Sequence, residues 1–265
     1  MNGRSINQGL RIPVLMYHHV ELFPLVPPAI FTDSYLDRAA FAAQLDVLAA
    51  AGLRTVTFAE ACEMTRKGER PRRSVVLTFD DACCCFAEHA APELIRRGMT
   101  ATVFAVSSRL GGTNDWDHGA GERSEALMDA AALRSLAQQG FEIASHGRNH
   151  VDVSRCDEAA LATELRDSKR DLESSLETPI RTFCYPYGRL DARARMGAER
   201  AGYLGAASIH GQPLANPHDP FAAARMIVRP GESALELRLK ARGWYPLWSR
   251  LPRLGLLRAL RRGKP

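Results

Sequence analysis

The stretch SVVLTFDDACCCF, Ser74–Phe86, sets an apolar, β-branched run directly before two adjacent aspartates, with three consecutive cysteines close behind. Such a run reads as a strand buried on both faces, which belongs in a parallel sheet covered by helices. The flanking sequence agrees. Upstream, RIPVLMYHHV predicts a strand over Pro13–Tyr17, and LDRAAFAAQLDVLAAAGL a helix that stops at Gly52. RTVTF predicts a short strand and AEACEMTRKG a short helix. Downstream, helix and strand alternate through MTATVFAV, MDAAALRSLAQQG, FEIASH, the long amphipathic DEAALATELRDSKRDLESSLE, IRTFCYPYG, ARARMGAERAG, YLGAAS and ARMIVRP. Alternation of this kind predicts an α/β protein with a central parallel sheet, as a single-domain (β/α) barrel. A doubly wound open sheet is the alternative.

The 265 residues, 46% hydrophobic and 25% charged, suffice for one large core. The domain is expected over residues 1–240, followed by a tail over 241–265. Nine basic and no acidic residues lie from Arg238 onward, so the net charge of +5 belongs to the tail and the rest is net acidic. The opening residues lack a secretory pattern, and no stretch approaches the length of a membrane span. A cytoplasmic location is therefore expected, with the six cysteines as free thiols.

Either the acids or the thiols of the opening stretch offer metal ligands. Asp80 and Asp81 follow a strand directly, and side chains at the C-terminal ends of barrel strands line the active-site face. Adjacent carboxylates repel unless a cation or a proton relieves them. One binding a metal and the other acting as a base explains the pair; a helix N-terminus capped by aspartates is the other reading. In SHGRNH, His146 ends a strand and His150 follows four residues on, so a helical turn there would aim both imidazoles the same way. With an aspartate from another strand end they make a three-ligand site with open positions. Three consecutive cysteines do not easily aim three sulfurs at one ion, and thiolate sites use spaced pairs. Cys83, Cys84 and Cys85 are expected to open a helix, to diverge around its axis and to pack.

In RTFCYPYG, Arg181 begins a strand that Pro186, Tyr187 and Gly188 end in a turn. An arginine there suits a bidentate grip on a carboxylate, and a turn N–H suits a substrate carbonyl. The glycine-rich segment SSRLGGTNDWDHGAGERSEAL is the expected functional loop, with Trp116 as a ring for stacking on a sugar.

TFDD, SHGRNH and RTFCYPYG, in this order, resemble the three motifs of the polysaccharide deacetylases, carbohydrate esterase family four. The resemblance runs from about Ile12 to about Leu239 and includes PVLMYHHV and FAAQLDVLAAAGLRTVTFAEA. It implies a distorted (β/α) barrel holding a divalent metal, zinc foremost, with cobalt, nickel or manganese as alternatives. By position it implies Asp81, His146 and His150 as ligands, Asp80 as general base, Arg181 orienting Asp80, and the Tyr187 N–H at the oxyanion. Tyr187, Pro186 and Trp116 would contact substrate. Two departures stand out: Ala82 where members usually carry Gly, and Gly147 where they carry Ser or Thr. The general acid falls in no clear motif; His18, His210 and His218 are the choices, with His18 first because it ends a strand beside the site.

The implied reaction is hydrolysis of an N-acetyl group on an amino sugar. The expected substrates are an amino-sugar glycan or a lipid- or nucleotide-linked precursor, with a role in glycan biosynthesis and no nucleic-acid partner. A deformylase or other small C–N amide hydrolase on the same fold, and a non-catalytic sugar-binding barrel, are the alternatives. The tail, with Trp244, Tyr245 and Trp248 among arginines and leucines, suits a peripheral contact with the inner face of an anionic membrane. Packing of its leucines on the barrel is the competing expectation.

Overall fold

The structure, a computed structural model, describes residues 12–22, 34–69, 73–116, 123–209 and 219–243. Its strands are β1 (Val14–Tyr17), β2 (His19–Glu21), β3 (Tyr35–Asp37), β4 (Arg54–Val56), β5 (Ser74–Phe79), β6 (Thr102–Ala105), β7 (Glu142–Ser145), β8 (Thr182–Cys184), β9 (Gly205–Ser208), β10 (Ala223–Ala224) and β11 (Met226–Ile227). The helices are α1 (Arg38–Ala50), α2 (Phe58–Arg66), α3 (Ala91–Ile95), α4 (Ala130–Gln138), α5 (Glu158–Ala162), α6 (Ser168–Leu176), α7 (Ala192–Arg200) and α8 (Ala234–Ala241).

The strand read from SVVLTF is β5, at the same bounds. One flank of β5 pairs with β1 over Val76–Phe79. Its other flank is shared, by β4 against Ser74–Val76 and by β6 against Thr78 and Phe79. The sheet continues through β7, β8 and β9 with every pair parallel. β10 then joins β9, while β11 joins β1 at the opposite edge. Only Arg225 separates β10 from β11, so one passage of chain laces the two edges together. The result is a nearly closed, distorted barrel rather than an open sheet.

Side chains alternate across this sheet. Val14, Val76, Phe104, Ala144, Cys184, Ala207 and Ala223 share the inner apolar cluster, and the alanines suit a narrow interior. Their neighbours Leu15, Leu77, Val103, Ile143, Phe183 and Ala206 belong to the outer cluster with the helices. The barrel's lower end is closed by the partly buried Glu142, whose carboxylate accepts from Ala59 N at 2.9 Å, Thr102 Oγ1 at 2.8 Å and Thr182 Oγ1 at 2.6 Å. Residues that follow the strands therefore collect at the other end.

Two predicted elements differ in detail. ARMIVRP is not one strand, because it serves two edges. The long helix expected from DEAALATELRDSKRDLESSLE forms without a break, but it widens by a turn at Thr163–Asp167 where α5 runs into α6. Among the described residues, no helix is long and apolar enough to cross a membrane. The tail beyond residue 243, with Trp244, Tyr245 and Trp248, lies outside the described residues, as do His210 and His218.

Candidate active site

The chain leaves β5 through an abrupt turn. Asp80 N still bonds to Tyr17 O at 3.3 Å, but Asp81 and Ala82 adopt φ of 70° and 58°. This left-handed conformation costs an alanine roughly 1–2 kcal/mol, which explains why glycine suits the position. Met128 N bonding to Ala82 O at 2.9 Å, and Cys84 N to Ala126 O at 2.8 Å, hold the turn in place. Its effect is to aim the two carboxylates differently. His150 and Tyr187, at φ of 57° and 58°, are left-handed as well. Backbone strain thus gathers at this end of the barrel.

His146 follows β7, and its Nδ1–H donates to Cys184 O at the end of β8, 2.9 Å away. That bond fixes the tautomer and leaves the Nε2 lone pair facing Asp81 Oδ1 at 3.6 Å. His150 Nε2 lies 3.5 Å from the same oxygen. No helical turn carries the two histidines, contrary to the sequence reading; Gly147, at φ 83°, and the left-handed His150 bend the loop, and the imidazoles converge all the same with ring centroids 4.9 Å apart. Burial pushes the His146 pKa down to about 4. It also holds that of His150 well below its ordinary value, helped by the neighbouring His146. Both rings are therefore neutral donors at neutral pH. Donor atoms of Asp81, His146 and His150 lie within 4.8 Å of one another. A cation or a proton between them relieves two acceptors as close as His146 Nε2 and Asp81 Oδ1, and this donor set fits a divalent metal.

A buried carboxylate secures the loop between His146 and His150. Glu164, brought inward by the wide turn after α5, accepts from Arg148 N at 2.8 Å, Asn149 N at 3.0 Å and Asn149 Nδ2 at 2.7 Å. A Cβ on Gly147 would fall 2.9 Å from Glu164 Oε2. The glycine that departs from the family pattern is thus the residue that makes room for Glu164.

Asp80 points elsewhere. Arg225, at the lace between β10 and β11, grips it with Nη1 on Oδ1 at 2.5 Å and Nη2 on Oδ2 at 2.8 Å. Burial alone would raise the Asp80 pKa; the charges of Arg225 and His146 and the Arg225 hydrogen bonds outweigh it and hold the carboxyl below the usual range. His18 Nε2 stands 3.6 Å from Asp80 Oδ2. Burial lowers the His18 pKa, against the pull of Asp80.

Arg181 does not orient Asp80. Its guanidinium pairs with Glu63 of α2, because Arg181 precedes β8 and so lies at the barrel's other end. The three residues of β8 separate the two ends by roughly 10 Å. Pro186 is buried against the Gly147 loop. Trp116 stacks on His150 at 4.4 Å, which commits one face of its ring; the half-exposed Tyr187 meets His150 edge-on at 4.8 Å.

A family model described as polysaccharide deacetylase matches residues 67–206, just over half of the chain. This chain belongs to the polysaccharide deacetylase family. Among curated relatives, the deacetylase-family protein YxkH of Bacillus subtilis is 25% identical over 224 residues, which is 84% of this chain and 73% of that one. A poly-beta-1,6-N-acetyl-D-glucosamine N-deacetylase of Staphylococcus aureus is 22% identical over 197 residues, 71% of this chain and 66% of its own length. Among solved structures, the Streptococcus pyogenes deacetylase PplD in complex with acetate superposes with a TM-score of 0.74 at 22% identity, covering 88% of this chain and 99% of that chain. IcaB from Ammonifex degensii gives 0.70 at 21% identity, over 89% and 97%. At these identities the structural likeness is one of fold.

Proposed function

We propose that this deacetylase-family chain hydrolyses the N-acetyl group of an amino-sugar glycan, releasing acetate, with a divalent metal held by Asp81, His146 and His150. The observation that carries the reading is the convergence of these three donors beside an arginine-gripped Asp80. The named activity of the Staphylococcus aureus relative supports an N-acetylglucosamine polymer as the substrate class.

An amide is a poor electrophile and water a poor nucleophile. A bound metal would lower the pKa of water and polarise the carbonyl. The chain's own residues supply the remainder. Asp80, kept ionised by Arg225, accepts the proton of the attacking water. The same grip makes Asp80 a weak base, so the proton needs somewhere to go. His18, 3.6 Å away, is placed to take it and deliver it to the leaving amine. The N–H of Tyr187 is assigned to the oxyanion, the role that the family resemblance implies for it. The packing of Trp116 and Tyr187 on His150 keeps that ring in place.

The test is elemental analysis of protein purified without added metal, followed by acetate release from oligomers of poly-β-1,6-N-acetylglucosamine and of chitin. Bound metal with acetate release supports the reading. Metal without acetate release from either polymer points to a different amide, and absence of metal defeats it.

A further inference from the structure

We propose that His19, Cys83 and Cys85 form a second cation site, separate from Asp81, His146 and His150, that takes one zinc-class thiophilic ion. All three side chains are buried, and their donor atoms lie within 4.8 Å of one another. Consecutive cysteines were expected to diverge around a helix, but the chain is not yet helical at Cys83. That residue is held in an antiparallel bridge to Leu127, and its sulfur ends on the same side as that of Cys85. Cys84 turns away and is half-buried.

The imidazole of His19 completes the set. It is 1% exposed and stacks on Tyr35 with centroids 4.3 Å apart. Its Nδ1 faces Cys85 Sγ at 3.8 Å. That is long for a hydrogen bond of strength, yet it suits two ligands of one ion. With metal–sulfur and metal–nitrogen bonds of about 2.3 and 2.0 Å, sulfur and nitrogen of a tetrahedral site sit about 3.5 Å apart, within a few tenths of an ångström of this spacing. Nε2 is buried without a hydrogen-bond partner among the described residues. The carboxylates of Glu21 and Glu125 lie within 4.8 Å of a His19 ring nitrogen, and Tyr35 donates to Glu125 at 3.3 Å. A metal-bound imidazole commonly carries a carboxylate on its other nitrogen.

Two thiolates and an imidazole favour a soft or borderline ion over magnesium or calcium. The site joins β2, which starts just after His18, to the chain just after Asp80 and Asp81. An ion there ties together two segments that carry the active-site groups.

The experiment is titration of metal-stripped full-length protein with Co(II) as a spectroscopic probe and with Zn(II) for stoichiometry. Wild type is expected to bind two equivalents, one with thiolate-to-cobalt charge-transfer absorption. Cys83→Ser with Cys85→Ser is expected to bind one equivalent without that absorption, and Cys84→Ser to behave as wild type. Asp81→Asn is expected to keep the thiolate-coloured equivalent and lose the other, so this proposal and the deacetylase reading fail separately. A wild-type protein that shows no charge-transfer band at any Co(II) concentration overturns the site, and that measurement needs no variant to fold. Survival of the band in the double serine variant overturns it as well.

Discussion

Arg225 and Asp80, 145 residues apart in sequence, meet in the barrel interior through two hydrogen bonds of 2.5 and 2.8 Å. Both side chains are buried. Removing one partner of such a pair leaves an uncompensated charge and costs about 3–5 kcal/mol. Arg225→Ala is therefore expected to destabilise on that scale, read by urea unfolding. Arg225→Lys keeps the charge and loses the planar fork, so it should retain fold and lose tenfold or more in turnover, on the order of 1.4 kcal/mol. Arg181→Ala serves as contrast. It should leave turnover nearly unchanged, and a large loss there would restore the role first read for Arg181.

The adjacent aspartates have separable tasks. Asp81→Asn, like His150→Ala, is expected to lose metal and activity together. Asp80→Asn removes no ligand, so elemental analysis should find the metal still bound while turnover falls by about a hundredfold or more. The reverse pattern of metal contents would exchange the two roles.

Glu164 takes three donors of the ligand loop. Glu164→Ala would leave two backbone N–H groups and an amide unmatched, each at about 1–3 kcal/mol if water does not enter. Metal affinity should drop by roughly ten- to a hundredfold, the scale seen when groups supporting a ligand are removed. Gly147→Ala should do comparable damage through the clash with Glu164 Oε2. Zinc competition titration measures both, and unchanged affinity in either variant refutes the supporting role.

Apo-protein stability should depend on pH through His146. Its folded pKa, about 4, lies below the unfolded value near 6.5. The unfolded chain therefore binds the extra proton in that window, and stability falls as pH drops from about 6.5 to about 4. The loss is on the order of 3 kcal/mol for this group. Urea midpoints with chelator present across that range should show it, and His146→Gln should reduce the slope, with His18, His19 and His150 supplying the rest.

Much of this site was legible because Asp80, Asp81, His146 and Tyr187 each sit at or just past a strand end, where local pattern and spatial position coincide. Arg225 was not, since its strand is split into two two-residue ladders on opposite edges, which no periodicity reveals. Arg181 looked suitable only because it neighbours a motif; the strand between carries it to the wrong end. Glu164 read as part of an amphipathic helix, and nothing in that pattern foretells the wide turn that drives it inward. Cys83 was read as opening a helix, whereas it lies in a backbone bridge to Leu127 and the helix begins at Cys84. The missed features are all non-local, and a linear pattern is blind to them.

The lace at Ala223–Ile227 also orders events in time. Asp80 is laid down early in the chain, and the residue that neutralises it arrives 145 positions later, when the last edges meet. Contacts of such separation form late. A nascent or unzipped barrel would thus hold an unshielded anion where its catalytic centre should be, and water would be drawn into the gap. Closing the barrel and pairing Asp80 with its arginine therefore depend on the same short segment of chain.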